Sequence, residues 1–137
     1  MGTRSTIALE YADGTVGQIY CHWDGYLDHN GKILQNYYTD PFKVRELLDG
    51  GDMSSLSDTV AGCSFYALYE RGEDCPQRMY KDYAEFRKEA QGEEYDYILR
   101  LVDGKAVWFV RCYASNDKWV TLAEAREMEA IEEGEDW

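Results

Sequence analysis

Basic residues are scarce in this chain. Fourteen lysines and arginines stand against 27 aspartates and glutamates, for a formal net charge of -13. Such a surface repels phosphate, which argues against direct binding of nucleic acid or an anionic membrane unless the few cations cluster. Long apolar runs are missing too, so no membrane span is expected. Residues 1–5 (Met-Gly-Thr-Arg-Ser) lack the apolar core of a signal peptide, and the expected compartment is the cytoplasm. No Cys-x-x-Cys pair occurs. Cys21, Cys63, Cys75 and Cys112 are far apart in the chain, so neither a structural metal nor a cofactor is expected, and in a reducing cytosol the thiols read as small core hydrophobes. Removal of Met1 would expose Gly2, which has no nucleophilic side chain, and this argues against an N-terminal nucleophile. Internal repeats and low-complexity stretches are absent.

What remains is enough for one folded domain. The 137 residues are 45% hydrophobic and 15% aromatic, and a chain of this length buries roughly 68% of its unfolded surface. Residues 4–11 alternate, with Ile7, Leu9 and Tyr11 on one side, and predict a half-buried strand. Asp13-Gly14 supplies a tight turn, and residues 15–23 return with Gln18, Tyr20 and His22 on one side and Ile19, Cys21 and Trp23 on the other. Helices are predicted over 28–38, from Asp40-Pro41 to Gly50-Gly51, and over 77–91. Residues 52–58 read as a polar loop and 63–70 as an aromatic-rich strand. Residues 95–102 and 106–113 form the clearest hairpin, joined through Asp103-Gly104-Lys105. Thr121-x-x-Glu124 is a capping box that opens a last helix. The expected fold is α+β: an antiparallel sheet of about five strands, built from two hairpins plus a middle strand, with helices packed mainly on one face. The expected domain covers 1–122, with a C-terminal helix and acidic tail over 123–137 belonging to it.

Two groups of residues carry chemistry. Arg4, His22, Asp24, Tyr26, Asp28 and His29 gather both histidines of the chain near one strand-to-helix junction, where they could hold a small ligand or work as an acid–base pair. Against that, Asp24-Gly25 is ordinary turn chemistry and Asp28 an ordinary helix cap. The second group is acidic: Glu70, Glu73, Asp74, Asp82, Glu85, Glu89, Glu93, Glu94 and Asp96, with Tyr69 and Tyr95 as aromatic anchors. A further seven carboxylates and one arginine lie between Glu124 and Asp136. Carboxylates on a rigid surface either keep a protein soluble or occupy a basic groove made for nucleic acid. Twelve tyrosines and four tryptophans are more than a core can hide, since each hydroxyl needs a partner, and some are expected on a binding face.

The stretches Gly2-Thr3-Arg4-Ser5-Thr6-Ile7, Asp13-Gly14, Ile19-Tyr20-Cys21-His22-Trp23-Asp24-Gly25-Tyr26 and Gly51-Asp52-x-Ser54-Ser55-Leu56 resemble a family of small uncharacterised proteins of bacteriophages and prophages. Tyr69-Glu70-Arg71-Gly72-Glu73 resembles that family's Arg-Gly-Glu turn. The resemblance carries no catalytic residues. It implies a phage or mobile-element accessory gene acting in the host cytoplasm. Together with the charge, it gives the leading expectation: a binding protein, more an inhibitor than an enzyme, that blocks a host defence complex by acidic nucleic-acid mimicry. The expected partner is the basic surface of a host protein or nucleoprotein complex, with homo-oligomerisation possible. A small-ligand or metal-binding protein or a minor enzyme using the His22–His29 loop is the alternative.

Overall fold

A computed structural model describes residues 2–67 and 75–135. Local chemistry sets its first hairpin. The Asp13 carboxylate accepts from Thr15 N–H at 3.0 Å and from the Thr15 hydroxyl at 2.6 Å, turning β1 (Ser5–Glu10) into β2 (Val16–Cys21). A single π-turn (Leu27–Gly31) leads into α1 (Lys32–Tyr37). Asp40 caps α2 (Pro41–Asp49) by accepting from Phe42 N–H at 2.9 Å. β3 (Met53–Ser55), β4 (Ser64–Phe65) and β5 (Arg78–Tyr80) are short. Asp82 caps α3 (Tyr83–Glu89). Asp103 and Gly104, both at positive φ, join β6 (Tyr95–Val102) to β7 (Lys105–Cys112). β8 (Val120–Thr121) precedes α4 (Leu122–Glu135), whose capping box is formed: Thr121 Oγ1 accepts from Glu124 N–H at 3.2 Å and donates to the Glu124 carboxylate at 2.8 Å.

The fold is α+β, but the expected five-stranded antiparallel sheet is corrected. Eight strands form one mixed sheet in the order β4-β3-β2-β1-β6-β7-β8, with β5 pairing β2 as well. β1 runs parallel to β6, and β2 parallel to β3. The two hairpins therefore meet side by side at the centre of the sheet. The expected loop over 52–58 contains β3, and the expected helix over 77–91 is β5 followed by the shorter α3.

The two faces of the sheet differ. Ile7, Leu9, Ile19, Tyr97, Leu99 and Val110 project to one face, where Leu34 of α1, Val44, Leu47 and Leu48 of α2 and Leu122 and Ala125 of α4 complete the main core. Ala8, Val16 and Ile98 project to the other, where Phe86 of α3 covers them. Among the described residues, one helix of seven residues guards this second face. Among the described residues, no helix is long and apolar enough to cross a membrane.

Candidate functional site

The parallel pairing of β2 with β3 gathers three segments that are distant in the sequence. His22 N–H donates to the Met53 carbonyl at 3.2 Å, Trp23 N–H to the Ser54 carbonyl at 2.8 Å, and Gly25 N–H to the Thr3 carbonyl at 2.8 Å. Gly51 makes the approach possible. Its φ is +80°, and a Cβ there would collide with the Cys75 carbonyl oxygen. Next to it, Asp52 N–H donates to that same carbonyl at 2.9 Å.

The result is a cleft of about 580 Å³ lined by Arg4, Tyr20, His22, Trp23, Asp52 and Ser54, with Tyr66 and Cys75 completing the wall. Period-two alternation on β2 places Tyr20 and His22 on the same side, the lightly covered face. Tyr20 Oη lies 2.7 Å from His22 Nδ1, which fixes the imidazole and leaves Nε2 for an incoming group. Burial pushes the Tyr20 phenol above its ordinary range, against a downward pull from the Arg4 guanidinium, so it stays protonated at neutral pH. The His22 ring stands edge-on to Trp23, with centroids 4.7 Å apart. Trp23 itself is 44% exposed. The Asp52 carboxylate is already committed: it accepts from Tyr20 N–H at 2.8 Å and pairs with Arg78 at 3.3 Å. Arg4 differs. Its side chain lines the cleft and makes no ion pair among the described residues.

The structure splits the first predicted group. Arg4 and His22 share the cleft. Asp24 is an exposed turn residue with φ +57°, and Tyr26 is exposed. Asp28 faces α4 beside Arg126 and Glu129. His29 turns away to pair its Nδ1 with Asn30 Oδ1 at 2.9 Å. The His22–His29 stretch is therefore not one site. No group of three metal-ligating side chains occurs among the described residues. Missed from sequence were Tyr20, Trp23, Asp52 and Ser54, although the alternation on β2 and the Gly51-Asp52-x-Ser54 segment both pointed there.

The acidic group also divides. Tyr69, Glu70, Glu73 and Asp74 lie outside the described residues. Asp82 caps α3, and Glu85 accepts from Lys81 N–H at 2.6 Å. Tyr95 packs on the main core and stacks on Tyr97. Asp96 was expected on the surface and is instead 2% exposed, bound by Thr6 Oγ1 at 2.7 Å and Arg111 at 3.1 Å. Glu89, Glu93 and Glu94 are exposed. Comparison with family models, curated proteins and solved structures gives no match for this chain.

Proposed function

We propose that this chain is a ligand-binding protein that captures a small, negatively charged, ring-bearing molecule in the cleft between Arg4 and Trp23. The observation that carries the reading is the convergence of three separate segments, residues 2–7, 19–26 and 51–56, on one cavity lined by a guanidinium that makes no ion pair among the described residues. These are the same segments that resemble the phage proteins. Each lining group has a task. Arg4 meets the acidic group, the half-exposed Trp23 ring takes the flat part, and His22, held by Tyr20, supplies a directional polar contact. In a phage setting such a protein withholds a host signal or cofactor from a defence system.

The test is thermal unfolding against a panel of mononucleotides, cyclic nucleotides and sugar phosphates. A true ligand at a hundredfold excess over its Kd stabilises by about 2.7 kcal/mol. For at least one member of the panel that gain is expected to vanish in Arg4→Ala and Trp23→Ala. If no member of the panel stabilises the protein, or if Arg4→Ala responds like the unaltered chain to every member, the reading fails.

A second proposal rests on the exposed Glu89, Glu93 and Glu94, with Glu124 and Glu127 of α4 exposed as well. Here the acidic surface docks on a basic groove of a host defence complex. Retention of such a complex from host lysate at low salt, released as salt rises, is the expected result. No retention at any ionic strength sinks it.

A further inference from the structure

The sparse cations of this acidic chain are not spread evenly. Arg87, Arg100, Arg111 and Lys118 line a single cavity of about 490 Å³ with the rings of Tyr83 and Trp119. It opens on the same lightly covered sheet face as the Arg4 cleft, toward the β7–β8 side of α3. Its size falls within the roughly 300–1,000 Å³ typical of small-molecule sites.

Two of the arginines are held in place from behind. Arg100 makes a bidentate pair with Glu10, both bonds at 3.3 Å, and its guanidinium lies 3.6 Å over the Tyr83 ring. Arg111 donates to the buried Asp96 carboxylate at 3.1 Å, with its guanidinium 5.4 Å from the Trp119 ring. Asp96 is steadied in turn by Thr6 Oγ1 and by Glu93 N–H at 2.9 Å. Gly92 leaves the space for this pair, because a Cβ there would approach Arg111 Nη2 to 2.6 Å. Arg87 and Lys118 are exposed and make no ion pair among the described residues.

Charge selects the ligand. Asp117 also lines the cavity. Setting Asp117, Glu10 and Asp96 against the four cations leaves one net positive charge. That suits a single phosphate group and not a strand, which the overall charge of -13 would repel. The flat guanidinium planes and aromatic rings favour a planar group beside the phosphate. We infer that this pocket is a second, separate binding site, for a mononucleotide held by its phosphate between Arg87, Arg111 and Lys118.

The experiment is titration of the full chain with AMP, followed through the indole N–H resonance of Trp119, assigned with Trp119→Phe. AMP is expected to move that resonance saturably. Arg87→Ala combined with Lys118→Ala, at two exposed positions, weakens binding about tenfold or more. Asp117→Asn removes a repelling charge and strengthens binding, a gain that a structural role would not produce. Arg4→Ala leaves AMP binding at Trp119 unchanged, which separates this site from the cleft. Inorganic phosphate binds more weakly than AMP, and a thymidine oligonucleotide more weakly still. An unmoved Trp119 resonance, or a double variant that binds like the unaltered chain, overturns the site. Phosphate binding as well as AMP, or the oligonucleotide binding more tightly, overturns the nucleotide assignment.

Discussion

The two faces of the central sheet are built for different ends. Toward α1, α2 and α4 the strands present Ile7, Leu9, Ile19, Leu99 and Val110, and the packing is apolar. Toward α3 the same strands present a polar row: Tyr20, Thr6, Asp96 and Arg111 are aligned across β2, β1, β6 and β7 by register. The Arg4 cleft lies at one end of that row and the Arg111 pocket at the other. The larger apolar core lies on the first face, and the second carries a smaller one beside its two cavities. Because side chains alternate along a strand, one set of strands serves both ends without conflict.

The sharpest way to break this comparison is to cut into the first face. Leu47 is fully buried in the main core, and Leu47→Ala is expected to cost about 2–5 kcal/mol through lost burial and a residual cavity. Arg4→Ala, on the open face, is expected to change stability by less than about 0.5 kcal/mol. Urea denaturation of the two variants settles it. Equal losses would erase the distinction between the faces.

Alkaline pH probes the same asymmetry. Cys21 is fully buried, and burial pushes its thiol from the ordinary 9.0 up to about 11. The folded state therefore keeps a proton that the unfolded chain gives up between these values. The stabilisation is complete below pH 9.0 and drains away as pH rises toward about 11. At about 1.36 kcal/mol per unit, the loss is about 2–3 kcal/mol. Tyr97 and Tyr38, also raised by burial, add to the decline at still higher pH. Denaturation midpoints from neutral pH upward measure this. Cys21→Ala is expected to remove the part that begins near the ordinary thiol value, and an unchanged profile would refute it.

On the open face the largest stability effect should come from the polar row. Arg111→Ala leaves the Asp96 carboxylate buried without its cation. The expected cost is about 2 kcal/mol, below that of a fully enclosed pair because the Arg111 side chain is 30% exposed. Adding Asp96→Asn should recover part of the loss, since the stranded charge is then gone. If the double variant is no better than the single one, the row contributes packing and not charge compensation.

These features were unequally legible in the sequence. Short-range chemistry was readable: Asp13-Gly14 and Asp103-Gly104 gave both hairpins, Asp40-Pro41 gave α2, and Thr121 with Glu124 gave the start of α4. The parallel pairings were not, because nothing in β1 says that it will lie beside β6, some ninety residues away. Arg78–Tyr80 was hidden for another reason. Tyr80, Tyr83 and Phe86 fall at helical spacing, so β5 merged with α3 into one apparent helix. Met53–Ser55 carries too few apolar residues to announce a strand. The cleft depends on that strand, so half of its lining stayed out of view while Arg4 and His22 were visible. The second pocket draws on α3, β6, β7 and the segment before β8, and only the tertiary fold brings its cations together.

The finest comparison is between the two histidines themselves. They are seven residues apart and seemed to form one cluster, yet each is tied to a different neighbour: His22 to Tyr20, His29 to Asn30. Either substitution by alanine removes one hydrogen bond of a half-buried side chain, which costs about 0.5–1.5 kcal/mol. Stability alone will not separate them. Ligand binding in the cleft should, because His22 lines it and His29 does not. With a ligand identified by thermal shift, His22→Ala is expected to weaken binding about tenfold while His29→Ala leaves it unchanged. Tyr20→Phe should fall between the two, since the imidazole stays present but loses the hydroxyl that orients it. Equal losses from both histidine variants would mean that the stretch acts as one site after all, and that the division drawn by β2 and the π-turn has no functional meaning.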